Sequence, residues 1–126
     1  MNYLLDTHTF LWWVLDDPQL SPAARIAVSD EGAQVFVSVV SAWEIVIKHQ
    51  AGKLAVDPVR LFPEQLDTNG FQPLAITLAH IERLATLPLL HKDPFDRLLV
   101  AQAACESLQL ITSDRLVRQY AVPTLW

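Results

Sequence analysis

Short runs of bulky apolar residues alternate along the chain with longer segments of helical pattern. Runs rich in β-branched and aromatic residues and bounded by polar residues are typical of buried strands. The pattern predicts strands at Asn2–Leu5, Gln34–Ser38, Phe71–Ile76, Leu110–Thr112 and Val122–Trp126. Because proline has no backbone N–H to donate, Pro73 predicts that the third strand lies at an edge of the sheet or carries a bulge.

Helices are predicted between the strands from periodicity and from the residues that begin helices. Ser21-Pro22 and Asp93-Pro94 each combine a capping residue with a proline at the first helical position, and Thr77 is a third capping residue. Ser41 and Glu44 have the spacing of a capping box. The predicted helices are His8–Leu15, Pro22–Ser29, Ser41–Gln50, Pro63–Thr68, Thr77–Thr86, Leu98–Leu108 and Asp114–Tyr120. Asp93-Pro94 is predicted to open the helix that contains Leu98–Leu108. Ala51–Pro58 is predicted to be a loop.

The alternation of strands and helices predicts an α/β fold over residues 1–126, as a three-layer sandwich with a mostly parallel central sheet and helices on both faces. The length is that of one domain, and 52% of the residues are hydrophobic, which suffices for a continuous core. No repeat or linker divides the chain. Functional sites in such folds lie beyond the carboxyl ends of the strands.

Several classes of protein are disfavoured by composition. No apolar stretch approaches the roughly 20 residues that cross a membrane. A secretory signal would need an apolar core where Asp6 stands. We therefore expect a cytoplasmic protein with no membrane partner. Cys105 is the only cysteine, which excludes an intramolecular disulfide and a Cys-based zinc site, and its apolar neighbours predict a small buried residue.

The net charge of −5 is unfavourable for a protein that binds nucleic acid through a basic surface alone. Two explanations are open. Either the protein does not contact nucleic acid, or its acids are concentrated at a site that holds divalent cations, which reverse the local field.

Four acids are expected at the carboxyl edge of the sheet. Asp6 follows the first strand, Asp114 follows the fourth with one residue between, and Glu44 and Asp96 each stand at the third position of a predicted helix. Each alone has an ordinary explanation, because acids are favoured in the first turn of a helix. Together at one edge, however, they would repel one another unless a cation compensates.

Oxygen ligands without His or Cys suit Mg²⁺ or Mn²⁺. Two such ions can bind a phosphodiester, activate a water and stabilise the departing oxygen, which is the chemistry of hydrolytic nucleases. We therefore predict that Asp6, Glu44, Asp96 and Asp114 are both the catalytic and the metal-binding residues.

Four segments share their order and spacing with the motifs of a known family: Leu4–His8, Ser41–Ile45, His91–Ala103 and Leu110–Asp114. In these segments, which span essentially the whole chain, the sequence resembles the VapC-like toxins, PIN-domain ribonucleases of bacterial toxin–antitoxin pairs. The resemblance implies a PIN fold and Mg²⁺- or Mn²⁺-dependent cleavage of an RNA substrate, leaving 5′-phosphate and 3′-hydroxyl ends. It also implies inhibition by a cognate antitoxin protein.

By position in these motifs, the resemblance implies that Asp6, Glu44 and Asp96 are the main metal-binding acids. Many relatives have asparagine where Asp114 stands, with an acid slightly later. Here the later positions are apolar, at Leu116 and Val117. Asp114 is thus the candidate for the fourth ligand, directly or through water.

Other polar residues near this edge have two interpretations each. Asp93 is expected to be an N-cap rather than a ligand. Thr7, Thr112 and Ser113 either hydrogen-bond the acids or a metal-bound water, or cap local backbone. His91 is expected to be a loop histidine with one hydrogen bond rather than a catalyst.

Basic residues near the same edge are Arg97, Arg115, Arg118 and Lys48. Each of them, and also Lys53, either contacts RNA phosphates or orients carboxylates, or is solvated on the surface, which is the commoner position for such residues.

Phe10–Trp13 contains four bulky apolar residues in succession, which cannot all face one way on a helix. We expect some of them, including Trp12 or Trp13, to be exposed. Since exposed aromatic residues mark interfaces, this predicts a homodimer or a groove for the antitoxin.

Two other functions are compatible with parts of the sequence. An aspartate at the end of the first strand, like Asp6, also occurs in phosphatases that form an aspartyl-phosphate. These enzymes need a second acid two residues later, where this chain has His8. The other alternative is a catalytically silent PIN module that acts by binding protein or RNA.

Overall fold

The architecture is built around one parallel sheet. A computed structural model describes residues 1–126, and its five strands lie in the order β3-β2-β1-β4-β5, with every neighbouring pair parallel. The strands are β1 (Asn2–Leu5), β2 (Gln34–Ser38), β3 (Gln72–Leu74), β4 (Gln109–Ile111) and β5 (Thr124–Leu125). The predicted α/β fold with a mostly parallel sheet is confirmed. β3, which contains Pro73, lies at an edge as predicted.

Six helices connect the strands: α1 (Thr7–Val14), α2 (Pro22–Ser29), α3 (Val39–Gln50), α4 (Pro58–Asn69), α5 (Leu78–Thr86) and α6 (Pro94–Glu106). α2, α5 and α6 begin at the predicted caps, since Ser21, Thr77 and Asp93 each accept a hydrogen bond from a backbone N–H in the first turn. None of the helices has the length and apolarity that a membrane span requires.

The predicted start of α3 is wrong. Ser38, the last residue of β2, is the N-cap and accepts a hydrogen bond from the Val40 N–H at 3.0 Å. β-Branched Val39 locally favours a strand, but the cap at Ser38 begins the helix at once. Ser41 is therefore inside the helix, and Glu44 lies one turn further along than a capping box would place it.

Two other predicted elements differ. α4 begins five residues before the predicted Pro63, because Asp57 caps it and Pro58 takes its first position. The helix ends at Asn69, one residue after the predicted Thr68, and its C-cap Gly70 has a φ of 67°, in the left-handed region that favours glycine. The predicted helix Asp114–Tyr120 is reduced to a single 3₁₀ turn, Val117–Gln119.

Two apolar cores lie on opposite faces of the sheet because side chains alternate along a strand. Tyr3 and Leu5 of β1 pack with α1 and α2 on one face, and Leu4 packs with α6 on the other. The sheet is thus covered by helices on both faces, as the prediction of three layers requires.

Two predictions of burial are wrong. Cys105 is exposed, because it lies on the outer side of the last turns of α6. Trp12 and Trp13 are only half-exposed: they pack against the first core, and the Trp13 indole N–H donates to Asn69 Oδ1 at 3.0 Å. The aromatic side chains of α1 therefore do not form the exposed surface that the sequence predicted.

Candidate active site

The carboxyl edge of the sheet collects acidic side chains from four segments of the chain. β1 lies between β2 and β4 in the sheet, so residues that follow these strands converge. Asp6 directly follows β1, Asp114 follows β4, Glu44 lies on α3 after β2, and Asp96 lies in the first turn of α6.

Asp6 is a buried carboxylate that also caps α1. Its Oδ1 accepts a hydrogen bond from the Thr9 N–H at 2.8 Å. Burial raises the pKa of Asp6, and hydrogen bonds from Thr112 and Thr9 act in the opposite direction. The carboxylate is thus oriented by the protein but not neutralised by it.

Glu44 is buried and held through both oxygens. Thr7 Oγ1 donates to Oε1 at 2.7 Å, and Lys48 Nζ forms an ion pair with Oε2 at 2.7 Å. Thr7 Oγ1 is also 2.9 Å from Ser41 Oγ. The predicted role of Thr7 as a partner of the acids is present in the geometry. Of the two interpretations of Lys48, the one in which it orients a carboxylate is present in the geometry.

Asp96 is the acid with the most crowded surroundings. Its backbone N–H donates to Asp93 Oδ1 at 3.0 Å, which makes Asp93 the N-cap, as predicted. The pKa of the Asp96 carboxyl is raised to about 7, first by burial and then by the negative charges of Asp93, Asp6 and Glu44. A cation placed among these groups would remove the repulsion that raises this pKa.

Asp114 contacts Asp96 through a histidine. The Nε2 atom of His91 is 3.0 Å from Asp96 Oδ2 and 3.3 Å from Asp114 Oδ2. One ligand atom from each of these three residues lies within 4.8 Å of the others. The expectation of a single hydrogen bond for His91 is wrong. The signal that could have identified it was its position two residues before the N-cap Asp93, within the matched motif.

Thr112 connects the two acids that follow strands. Its hydroxyl bonds to Asp6 and accepts a hydrogen bond from the Asp114 N–H at 3.1 Å. The arginines are placed differently. Arg97 donates to the Leu87 carbonyl at 3.4 Å, while Arg115 and Arg118 are exposed.

The structure therefore places all four predicted acids at one edge, but not in one equivalent cluster. The charges of Asp6 and Glu44 act on Asp96 directly, and Asp114 is connected to Asp96 through His91. The arrangement concentrates negative charge at this edge of the sheet. The protein balances it with one ion pair, between Lys48 and the buried acid Glu44. Such a set of oxygen atoms is suited to hold a hard divalent cation.

Comparison with known proteins identifies the family of the chain. The sequence model of the PIN domain matches residues 3–123. The chain belongs to the PIN-domain family. It is 30% identical to Ribonuclease VapC22 of Mycobacterium tuberculosis, over 98% of this chain and 97% of that protein. The resemblance to VapC-like proteins that the motifs indicated is confirmed.

Solved structures of PIN-domain complexes have the same fold. VapBC2 from Rickettsia felis, bound to a DNA fragment from its promoter, superposes with a TM-score of 0.72 at 12% identity, covering 99% of this chain and 98% of that one. VapBC-1 from nontypeable Haemophilus influenzae has a TM-score of 0.66 at 15% identity, covering 99% and 97%. At these identities the similarity establishes the PIN-like fold alone.

Proposed function

We propose that this PIN-domain protein is an endoribonuclease that depends on Mg²⁺ or Mn²⁺, with Asp6, Glu44, Asp96 and Asp114 as its catalytic and metal-binding residues. The observation that carries the proposal is the environment of Asp96. Its carboxyl is crowded by two further buried acids, an arrangement that costs free energy in a protein without a cation. Similarity to a ribonuclease of 30% identity supports the same reaction.

The residues fit a hard divalent ion. Carboxylate oxygens from all four acids would hold it, and when bound it would supply a water of lowered pKa and stabilise the departing oxygen of the phosphodiester. Thr7 and Lys48 orient the two oxygens of Glu44. The Thr9 N–H and Thr112 orient Asp6. These contacts fix the acids before substrate arrives.

We further propose that an RNA strand is the substrate and that the protein is the toxin of a type II toxin–antitoxin pair with a cognate antitoxin. The support is that the solved relatives are toxin–antitoxin complexes. The net charge of −5 agrees with this function only if cations occupy the acidic edge. An aspartyl-phosphate phosphatase is not supported, because the second acid it needs is replaced by exposed His8.

Cleavage of labelled RNA by the purified protein tests this function. We expect cleavage with Mn²⁺ that stops in excess chelator and is reduced by at least about 100-fold in Asp6→Asn, because a ligand of the ion loses its charge. The matched control is Asp67→Asn, a change to an exposed acid of α4, and it should cleave like the wild type. RNA left intact at saturating Mn²⁺, or full activity in Asp6→Asn, would contradict the proposal.

A further inference from the structure

His91 is shared between two acids. Its Nε2 atom lies 3.0 Å from Asp96 Oδ2 and 3.3 Å from Asp114 Oδ2, and the side chain is only 12% exposed. Both contacts are made by the same nitrogen. Only the contact with Asp114 has hydrogen-bond geometry, so the imidazole holds Asp114 Oδ2 and places it next to Asp96 Oδ2.

The protonation of the ring follows from its other nitrogen. The Asp93 backbone N–H donates to His91 Nδ1 at 3.3 Å. A neutral imidazole that accepts at Nδ1 carries its proton on Nε2. To bind a metal ion through Nε2, the ring would need its proton on Nδ1, where it would face the Asp93 N–H. His91 is thus arranged as a hydrogen-bond donor and not as a metal ligand.

The loop that carries His91 is also fixed. The backbone N–H groups of Leu90 and His91 both donate to the Tyr120 hydroxyl, at 3.2 and 3.1 Å. Tyr120 itself is buried in the second core. The ring is consequently held by the hydrogen bonds of its backbone and of Nδ1, and these fix the position of Nε2.

Asp114 needs such a partner because its other oxygen is already engaged. Oδ1 accepts hydrogen bonds from the N–H groups of Leu116 and Val117, at 2.8 and 3.1 Å. Oδ2 is the atom left for a cation, and it is the atom that His91 contacts. The bonds to Oδ1 fix that oxygen but make no contact with Oδ2, and Asp114 is half-exposed, so the position of Oδ2 depends on His91.

We propose that His91 is a positioning residue of the metal centre: its Nε2–H donates to Asp114 Oδ2 and holds that oxygen beside Asp96 Oδ2, where both would bind the same divalent ion, while His91 itself does not ligate the ion. The inference rests on the proposed metal-dependent function. It assigns to His91 a hydrogen bond of the kind through which proteins orient ligating carboxylates.

Calorimetric titration of Mn²⁺ into the purified protein tests the inference without RNA. We expect His91→Ala to bind Mn²⁺ about 10- to 100-fold more weakly than the wild type, as loss of a partner that orients ligands usually does. His91→Gln keeps a side-chain N–H donor and should stay within about threefold of the wild type, because the hydrogen bond and not the ring is what matters. His49→Gln, at an exposed position on α3, is the control and should be unchanged.

Pulsed electron paramagnetic resonance of the Mn²⁺-loaded protein separates a positioning residue from a ligand. The wild type should lack the nitrogen coupling of a directly bound imidazole. A nitrogen coupling in the wild type that disappears in His91→Ala would overturn the proposal. Unchanged Mn²⁺ affinity in His91→Ala would also overturn it, and so would a loss of Mn²⁺ affinity in His91→Gln as large as that in His91→Ala. If the proposed nuclease function fails instead, the result is different: RNA stays intact at saturating Mn²⁺, but Mn²⁺ affinity still depends on His91.

Discussion

Asp96 is the residue whose charge depends most on its neighbours. Burial and the charges of Asp93, Asp6 and Glu44 raise its pKa to about 7. The sequence was sufficient to select it as a candidate, because its helix start is readable from Asp93-Pro94 and the parallel sheet defines the edge. The contact of Lys48 with Glu44 could have been predicted from their i,i+4 spacing on a helix. For His91 the sequence shows only its position before the N-cap Asp93, and its contacts with the two acids depend on the conformation of its loop.

The raised pKa of Asp96 makes the stability of the ion-free protein depend on pH. Between about pH 4, the ordinary range of a free Asp, and about pH 7, the folded state binds more protons than the unfolded state. Stability therefore falls as pH rises through this window and then levels off. The raised pKa of Asp6 acts in the same direction.

Urea denaturation in chelator at pH 5 and pH 8 measures this effect. We expect the wild type to be less stable at pH 8 than at pH 5, and Asp96→Asn, which cannot ionise, to lose less over the same interval. The difference between the two proteins removes the contribution of the titratable groups that they share to the pH dependence of stability. Parallel pH dependence in both would show that Asp96 is ionised at an ordinary pKa.

At the level of elements, the predictions that succeeded depend on a few adjacent residues. Caps with a following proline located the starts of α2 and α6, and Pro73 located an edge strand. The predicted start of α3 was wrong because Ser38 and Ser41 are both suitable caps. The choice between them is made by tertiary contact, since the Ser38 hydroxyl donates to Gln102 Oε1 at 2.6 Å, 64 residues away in sequence.

Ser38 should accordingly matter for stability more than an average serine. Ser38→Ala removes the cap of α3 and leaves the buried Gln102 Oε1 without its donor. We expect a loss of about 1–3 kcal/mol in the free energy of unfolding, measured by urea denaturation. In the control, Ser29→Ala removes an exposed hydroxyl at the end of α2, and it should cost less than about 0.5 kcal/mol. Equal effects would mean that Ser38 is not the cap that begins α3.

For the whole molecule, the order of the strands produces the site. With β1 between β2 and β4, acids that are distant in sequence meet at one edge, and the strand and helix pattern was enough to predict that meeting. The exposed aromatic side chains were predicted on α1, where Trp12 and Trp13 are half-buried. The exposed aromatic residue is Trp43 on α3, with Val39 and Ile47 on the same outer side, at exposed fractions of 55%, 40% and 40%.

We propose that this side of α3 is where two copies associate. Three apolar side chains spaced four residues apart form a stripe that a partner helix can cover. Light scattering should give a mass of twice 14.2 kDa, and Trp43→Glu should shift it to the monomer because a charge would be buried at the interface. Ile26→Glu, at a more exposed apolar position on α2, should remain dimeric. A monomeric wild type, or a dimeric Trp43→Glu, would contradict the proposed interface.

The most direct test of the acidic edge as a metal-dependent nuclease is the rate of RNA cleavage as Mn²⁺ is titrated, in the wild type and in Glu44→Gln. Glutamine keeps the size of the side chain and can still accept from Thr7, but it lacks the charge that binds a cation. We predict a wild-type rate that rises from zero in chelator and saturates with Mn²⁺, and a rate at least about 100-fold lower in Glu44→Gln. Cleavage that does not depend on Mn²⁺, or equal rates in the two proteins, would contradict the account.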